Sequence, residues 1–87
     1  MTKPAASGVT AYAKIIDQHI ADRIRLRRKA LGLAMGQLAQ QAGISRHTVL
    51  RYELKGHQIP ASTLMIFATI MKVPISYFFE EETSNRA

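Results

Sequence analysis

The chain has 87 residues, twelve Lys or Arg against six Asp or Glu, a formal net charge of +6 at pH 7 and no cysteine. That length makes one small domain with a core near the lower limit for independent stability. The absence of cysteine excludes a disulfide framework or cysteine zinc site, and no stretch nears the ~18 to 20 apolar residues of a membrane span. The charge is uneven: residues 1–60 hold ten Lys or Arg and three acids, so this part of the chain attracts polyanions by steering and counterion release.

In chain order, residues 1–12 have no apolar period and read as a flexible arm. A long helix is predicted from Ala13 or Asp17 to Ala30, with Ile16, Ile20 and Ile24 on its inner face and Arg23, Arg25, Arg27 and Lys29 on the other. Two short helices follow near 36–42 and 46–54, then a loop over 55–61 holding Gly56 and Pro60. A fourth helix over 62–71 places Leu64, Phe67, Ala68 and Met71 at i, i+3, i+4 and i+7, a core stripe. Pro74 opens a last short helix with Ile75, Phe78 and Phe79, and residues 83–87 form a polar tail. The expected division is an arm at 1–12, one domain at 13–82 and the tail.

The most informative stretch is 37–53. Ala39 is small enough to sit where two helices cross closely, Gly43 can take the left-handed conformation that ends a helix, and Ser45 can cap the next one. Val49 and Tyr52 then face inward, leaving Arg46, His47, Thr48 and Arg51 on the wet stripe. That is a helix-turn-helix, and its outer side chains are of the groove-reading kind.

With Arg23-Ile24-Arg25 and Arg28 before Gly32-Leu33, then Leu38-Ala39, Gly43-Ile44-Ser45, Tyr52-Glu53, Leu64, Ala68 and Val73 to Phe79, the chain resembles the lambda-repressor and Cro-like (XRE-type) helix-turn-helix regulators. The resemblance runs from about Ile20 to Glu80. It implies an all-α, five-helix DNA-binding domain and a structural pair between Arg28 and Glu53. Pairing with a planar guanidinium would neutralise a glutamate that otherwise repels phosphate.

The expected base contacts are Arg46, His47, Thr48 and Arg51, because the start and outer face of the second helix of such a motif reach major-groove edges. Arginine can grip guanine through two hydrogen bonds. Gln37, Ser45, Lys55, His57, Gln58 and Thr63 flank that helix and are expected on phosphate, where they carry no sequence information. The surplus apolar residues of the fourth and fifth helices point to a homodimer, with Ile66, Ile70, Tyr77 and Phe78 as interface candidates.

Ala34-Met35-Gly36 departs from the family pattern. Many members open the second helix with a Ser, Thr or Asn cap followed by Gln; loss of the cap oxygen costs about 0.5 to 2 kcal/mol. The function expected is a dimeric, cytoplasmic, nucleoid-associated repressor of an inverted-repeat operator on double-stranded DNA. The alternatives are an antitoxin-type regulator with a small protein partner, or an interaction module that has lost DNA binding. No cofactor or metal is expected, and no cluster of nucleophile, base and acid supports an enzyme.

Overall fold

The computed structural model describes residues 3–81, and among them helices and turns alternate with no strand. Four α-helices, α1 (Lys3–Ala30), α2 (Met35–Ala42), α3 (Arg46–Lys55) and α4 (Ala61–Met71), precede a terminal 3-10 helix, Ile75–Phe79. The architecture is the expected all-α one, with the fifth helix wound as the tighter 3-10 form used in short pieces. The polar tail at 83–87 lies outside the described residues, as do Met1, Thr2 and Glu82.

α1 starts earlier than predicted. Most of the stretch read as a flexible arm is helical, because the helix begins at Lys3 rather than near Ala13. Pro4 is compatible with this start: in the first turn its missing N–H has no intrahelical partner to lose. Residues 10–16 are exposed throughout, so Ile16, predicted on the inner stripe, is 37% exposed whereas Ile20 and Ile24 are buried.

The core gathers Ile20 and Ile24 from α1, Leu38 and Ala39 from α2, Val49 from α3, Leu64, Phe67, Ala68 and Met71 from α4, and Phe78. Full burial of each large member stabilises by about 1.5 to 3 kcal/mol. Tyr52 packs edge-on against Phe67, ring centroids 6.2 Å apart, which joins α3 to α4. Phe78 is wholly enclosed and is therefore removed from the dimer-face candidates. A 3-10 turn sets successive residues about a third of a turn apart, so burying Phe78 turns Phe79 outward, where it is 50% exposed. Ile66 is exposed, while Ile70 and Tyr77 are half-buried.

The basic face of α1 is also divided differently from the prediction. Arg23 Nε donates to the Tyr77 carbonyl at 3.0 Å and Arg27 Nε to the Met71 carbonyl at 3.0 Å. His19 Nε2 meets the Glu80 carbonyl at 2.7 Å. Residues one helical turn apart on α1 thus hold carbonyls at 80, 77 and 71, a ladder running in opposite senses along the two segments. Met71 closes α4 and Glu80 follows the 3-10 helix, so their carbonyls lack intrahelical donors, which these side chains supply; Tyr77 O already accepts from Glu80 N at 3.3 Å and takes Arg23 as a second donor. The Arg23 guanidinium also lies over the Tyr77 ring, 4.0 Å from its centroid.

α4 ends on Lys72, at φ 59° the sole non-glycine residue with positive φ among those described. Its N–H bonds Thr69 O, and Val73 N bonds Ala68 O at 3.1 Å. This closing pattern commonly falls to glycine, because a side chain in the left-handed region is strained.

Candidate nucleic-acid interface

α2 and α3 cross over Ala39, which is 3% exposed. Gly43 ends α2 at φ 75°, and the next amide, Ile44 N, bonds Ala39 O at 3.0 Å, so the chain reverses within the turn that glycine permits. Ser45 follows with extended backbone, and its Oγ accepts from Thr48 N at 3.0 Å, capping α3. The same hydroxyl shares a 2.8 Å hydrogen bond with Thr48 Oγ1. Thr48 therefore has its hydroxyl engaged in the cap through one hydrogen bond, and its methyl group makes no use of that bond.

α3 has two unlike faces. Val49 and Glu53 are buried, whereas Arg46, His47, Arg51, Leu54 and Lys55 are exposed. The helix thus sets Arg46, His47 and Arg51 together at its N-terminal and outer side. Of the residues expected to flank it, Gln37, Ser45, His57 and Gln58 are exposed and Thr63 is half-buried near the start of α4. No side chain caps the first amides of α4, since Pro60 precedes them.

Glu53 is 1% exposed and Arg28 6%. The two form a fork: Arg28 Nε donates to Glu53 Oε2 at 2.7 Å and Nη2 to Oε1 at 2.8 Å, while Nη1 donates to the Leu33 carbonyl at 2.7 Å. The hydrogen bond to Glu53 raises the Arg28 pKa above its ordinary value; burial works against it and the carboxylate charge adds to it. This guanidinium is a joint between α1, α3 and the turn before α2, and it has no outward face.

Two details were not read from the sequence. The Gln37 side-chain oxygen accepts from the Ala34 amide at 2.7 Å, which is one half of a capping box. The other half is missing because alanine has no side-chain oxygen, so α2 is better capped than Ala34 alone suggests. Gln at the third helical position carried that signal. The second detail lies after α3: Gly56 takes φ 62°, His57 N bonds Arg51 O at 3.4 Å, and Arg51 Nε points to His57 Nδ1 at 3.4 Å. His57 thus faces Arg51, a partner that spacing alone did not disclose.

Comparison with known proteins returns the same architecture. The family described as Helix-turn-helix (HTH_3) matches residues 24–78. An uncharacterized HTH-type transcriptional regulator of Sinorhizobium medicae is 39% identical over 66 residues, covering 76% of this chain and 48% of the relative. An uncharacterized transcriptional regulator in the ATPase CF(0) region of Rhodospirillum rubrum is also 39% identical over 66 residues, 61% of its length. The chain spans about half the length of the first of these relatives. Among solved structures, the hypothetical transcription factor NHTF from Neisseria is similar at a TM-score of 0.74 and 25% identity, over 79% of each chain. An HTH_3 family transcriptional regulator from Vibrio cholerae is similar at a TM-score of 0.68 and 28% identity, over 77% of this chain and 38% of that one.

Proposed function

The chain belongs to the helix-turn-helix family of transcriptional regulators, and on that premise we propose that it reads duplex DNA through α3 as a dimeric repressor of an inverted-repeat operator. The observation that carries this reading is the division of α3: Val49 and Glu53 are buried, while Arg46 is exposed at the helix's first turn and His47 and Arg51 are exposed on its outer side. A helix fixed in that way can enter a major groove with its fork-shaped cations leading.

Arg46 and Arg51 are assigned to base edges, His47 beside them, and Thr48 through its methyl group to thymine. Ser45, Gln37, Lys55, Gln58 and Thr63 are assigned to phosphate, with Gln37 using its amide N–H because its oxygen is held by Ala34, whereas His57, expected on phosphate from sequence, faces Arg51 instead. Arg28 and Glu53 support α3 and touch no DNA in this reading. The second copy is placed on the exposed apolar side of α4, where Met65 is 53% and Ile66 42% exposed. Half-sites then lie about 34 to 36 Å apart, and occupancy of the operator in the cytoplasm excludes polymerase without any enzymatic step.

Selection from random duplex DNA at two salt concentrations tests this, with Arg46→Ala, Arg51→Ala as the control. An inverted repeat enriched by the native chain and lost in the double variant is the expected result. Steep salt dependence with no enriched motif would leave only non-specific attraction to the basic surface.

A second reading, a protein-interaction role such as an antitoxin's, is favoured by one observation. Tyr12, Ile15, Ile16 and Phe79 are exposed and line a groove of about 430 Å³. Absence of DNA binding even at low salt, with retention of a co-expressed small protein, would favour it over operator binding.

A further inference from the structure

We infer that His57 is a positioning residue for Arg51, fixing the plane in which that guanidinium is presented; this rests on the DNA-reading role proposed for α3. Two links join the residues. The His57 backbone N–H donates to the Arg51 carbonyl, and the Arg51 Nε–H donates to His57 Nδ1, each at 3.4 Å. Gly56 makes the first possible by turning the chain at φ 62°. The turn lies beside α1: a Cβ added to Gly56 would sit 2.9 Å from Gln18 Oε1 and 3.9 Å from Gln18 Cα. The loop carrying His57 is tied on one side by the His57 N–H bond to Arg51 O and on the other by Ile59, which packs against the core.

The chemistry follows from the donor inventory. Arginine has five N–H donors in one plane, and anchoring Nε–H leaves the two Nη groups at the outer end. Those present a fork whose spacing matches O6 and N7 of guanine in the major groove. An unanchored Arg51 would reach the same base through many rotamers and rotate towards phosphate in some of them. Acceptance at Nδ1 requires the neutral imidazole with its hydrogen on Nε2. His57 therefore acts on base choice through Arg51, whereas the phosphate contact expected of it from sequence would act on all sequences alike.

The test has two arms. In free protein, the ¹⁵N–¹H signal of Arg51 Nε should exchange slowly with water, exchange faster in His57→Ala, and slow again in His57→Asn, whose side-chain oxygen can accept in place of Nδ1. With the selected operator, the ratio of affinities for the native site and a site changed at the Arg51 base pair should fall roughly 3- to 10-fold in His57→Ala and recover in His57→Asn. Non-operator DNA should bind the variants within about twofold of the native chain, and His57→Ala should add nothing to Arg51→Ala. Equal loss of affinity for every sequence, with the ratio unchanged, would overturn the inference and leave His57 as a phosphate contact. A ratio that Arg51→Ala leaves unchanged would overturn base reading by Arg51 and this inference with it. Fast Nε exchange in the native chain, with selectivity dependent on Arg51, would overturn positioning alone.

Discussion

Replacing Glu53 by alanine should unfold the domain at temperatures the native chain tolerates. The carboxylate accepts two hydrogen bonds from Arg28 at 2.7 and 2.8 Å, and its side chain is 0% exposed. Removing it leaves a guanidinium whose side chain is 8% exposed with one remaining partner, the Leu33 carbonyl at 2.7 Å. Breaking one side of a buried pair costs about 3 to 5 kcal/mol, against a total of about 5 to 10 for a domain of this size. At about 4 to 8 °C per kcal/mol, the melting temperature should fall by at least about 12 °C. Thermal and urea unfolding followed by circular dichroism measure this directly. The double variant Arg28→Met, Glu53→Leu should lose less than Glu53→Ala, about 1 to 3 kcal/mol, because no charge is stranded and only the Leu33 carbonyl goes without its donor. A loss below about 1 kcal/mol for Glu53→Ala would refute the idea that α1 and α3 are joined through this fork.

Ala34→Ser should stabilise by about 0.5 to 1.5 kcal/mol, read as a rise in urea midpoint, because the backbone at 34 already has cap geometry and Gln37 already supplies the reciprocal bond. Lys72→Gly should raise the melting temperature by about 3 to 6 °C, since relief of the left-handed strain at φ 59° exceeds the added freedom of the unfolded chain; a fall would show that strain at Lys72 is negligible. The Arg28 contribution should not vary with pH between about 6 and 10. Its pKa is raised by the fold, so the stabilisation is complete below the unfolded-state arginine value and is lost only as pH rises through the still higher folded one. Unfolding free energies of native chain and double variant, measured at both ends of that range, should differ by the same amount.

Helix-turn-helix landmarks were legible because each has a local cause: Gly43 must reach positive φ, Ser45 must supply an oxygen, and Ala39 must be small. α2, α3 and α4 were placed within a residue at their ends for the same reason. What the sequence concealed was non-local. Charge on α1 reads as a solvated face, yet Arg23 and Arg27 turn towards carbonyls more than forty residues away that no periodicity reveals. Phe78 and Phe79 are chemically alike, and only the 3-10 winding decides which is enclosed. Pro4 and Gly8 suggested a coil, although proline in a first turn and a single glycine are both tolerated in a long helix. His57 became visible as a partner of Arg51 only once Gly56 had fixed the direction of the loop.

The ladder between α1 and the end of the fold has a mechanical consequence. His19, Arg23 and Arg27 hold the carbonyls of Glu80, Tyr77 and Met71 in reverse order, so tension applied at Glu81 reaches one rung at a time. The Glu80 rung should open at low force and the next only as Phe78 is drawn from the core, while a load across α1 and α4 meets the packed core as one piece. An optical-tweezers trace pulled from the C-terminal side should therefore show a compliant shoulder before the main rupture.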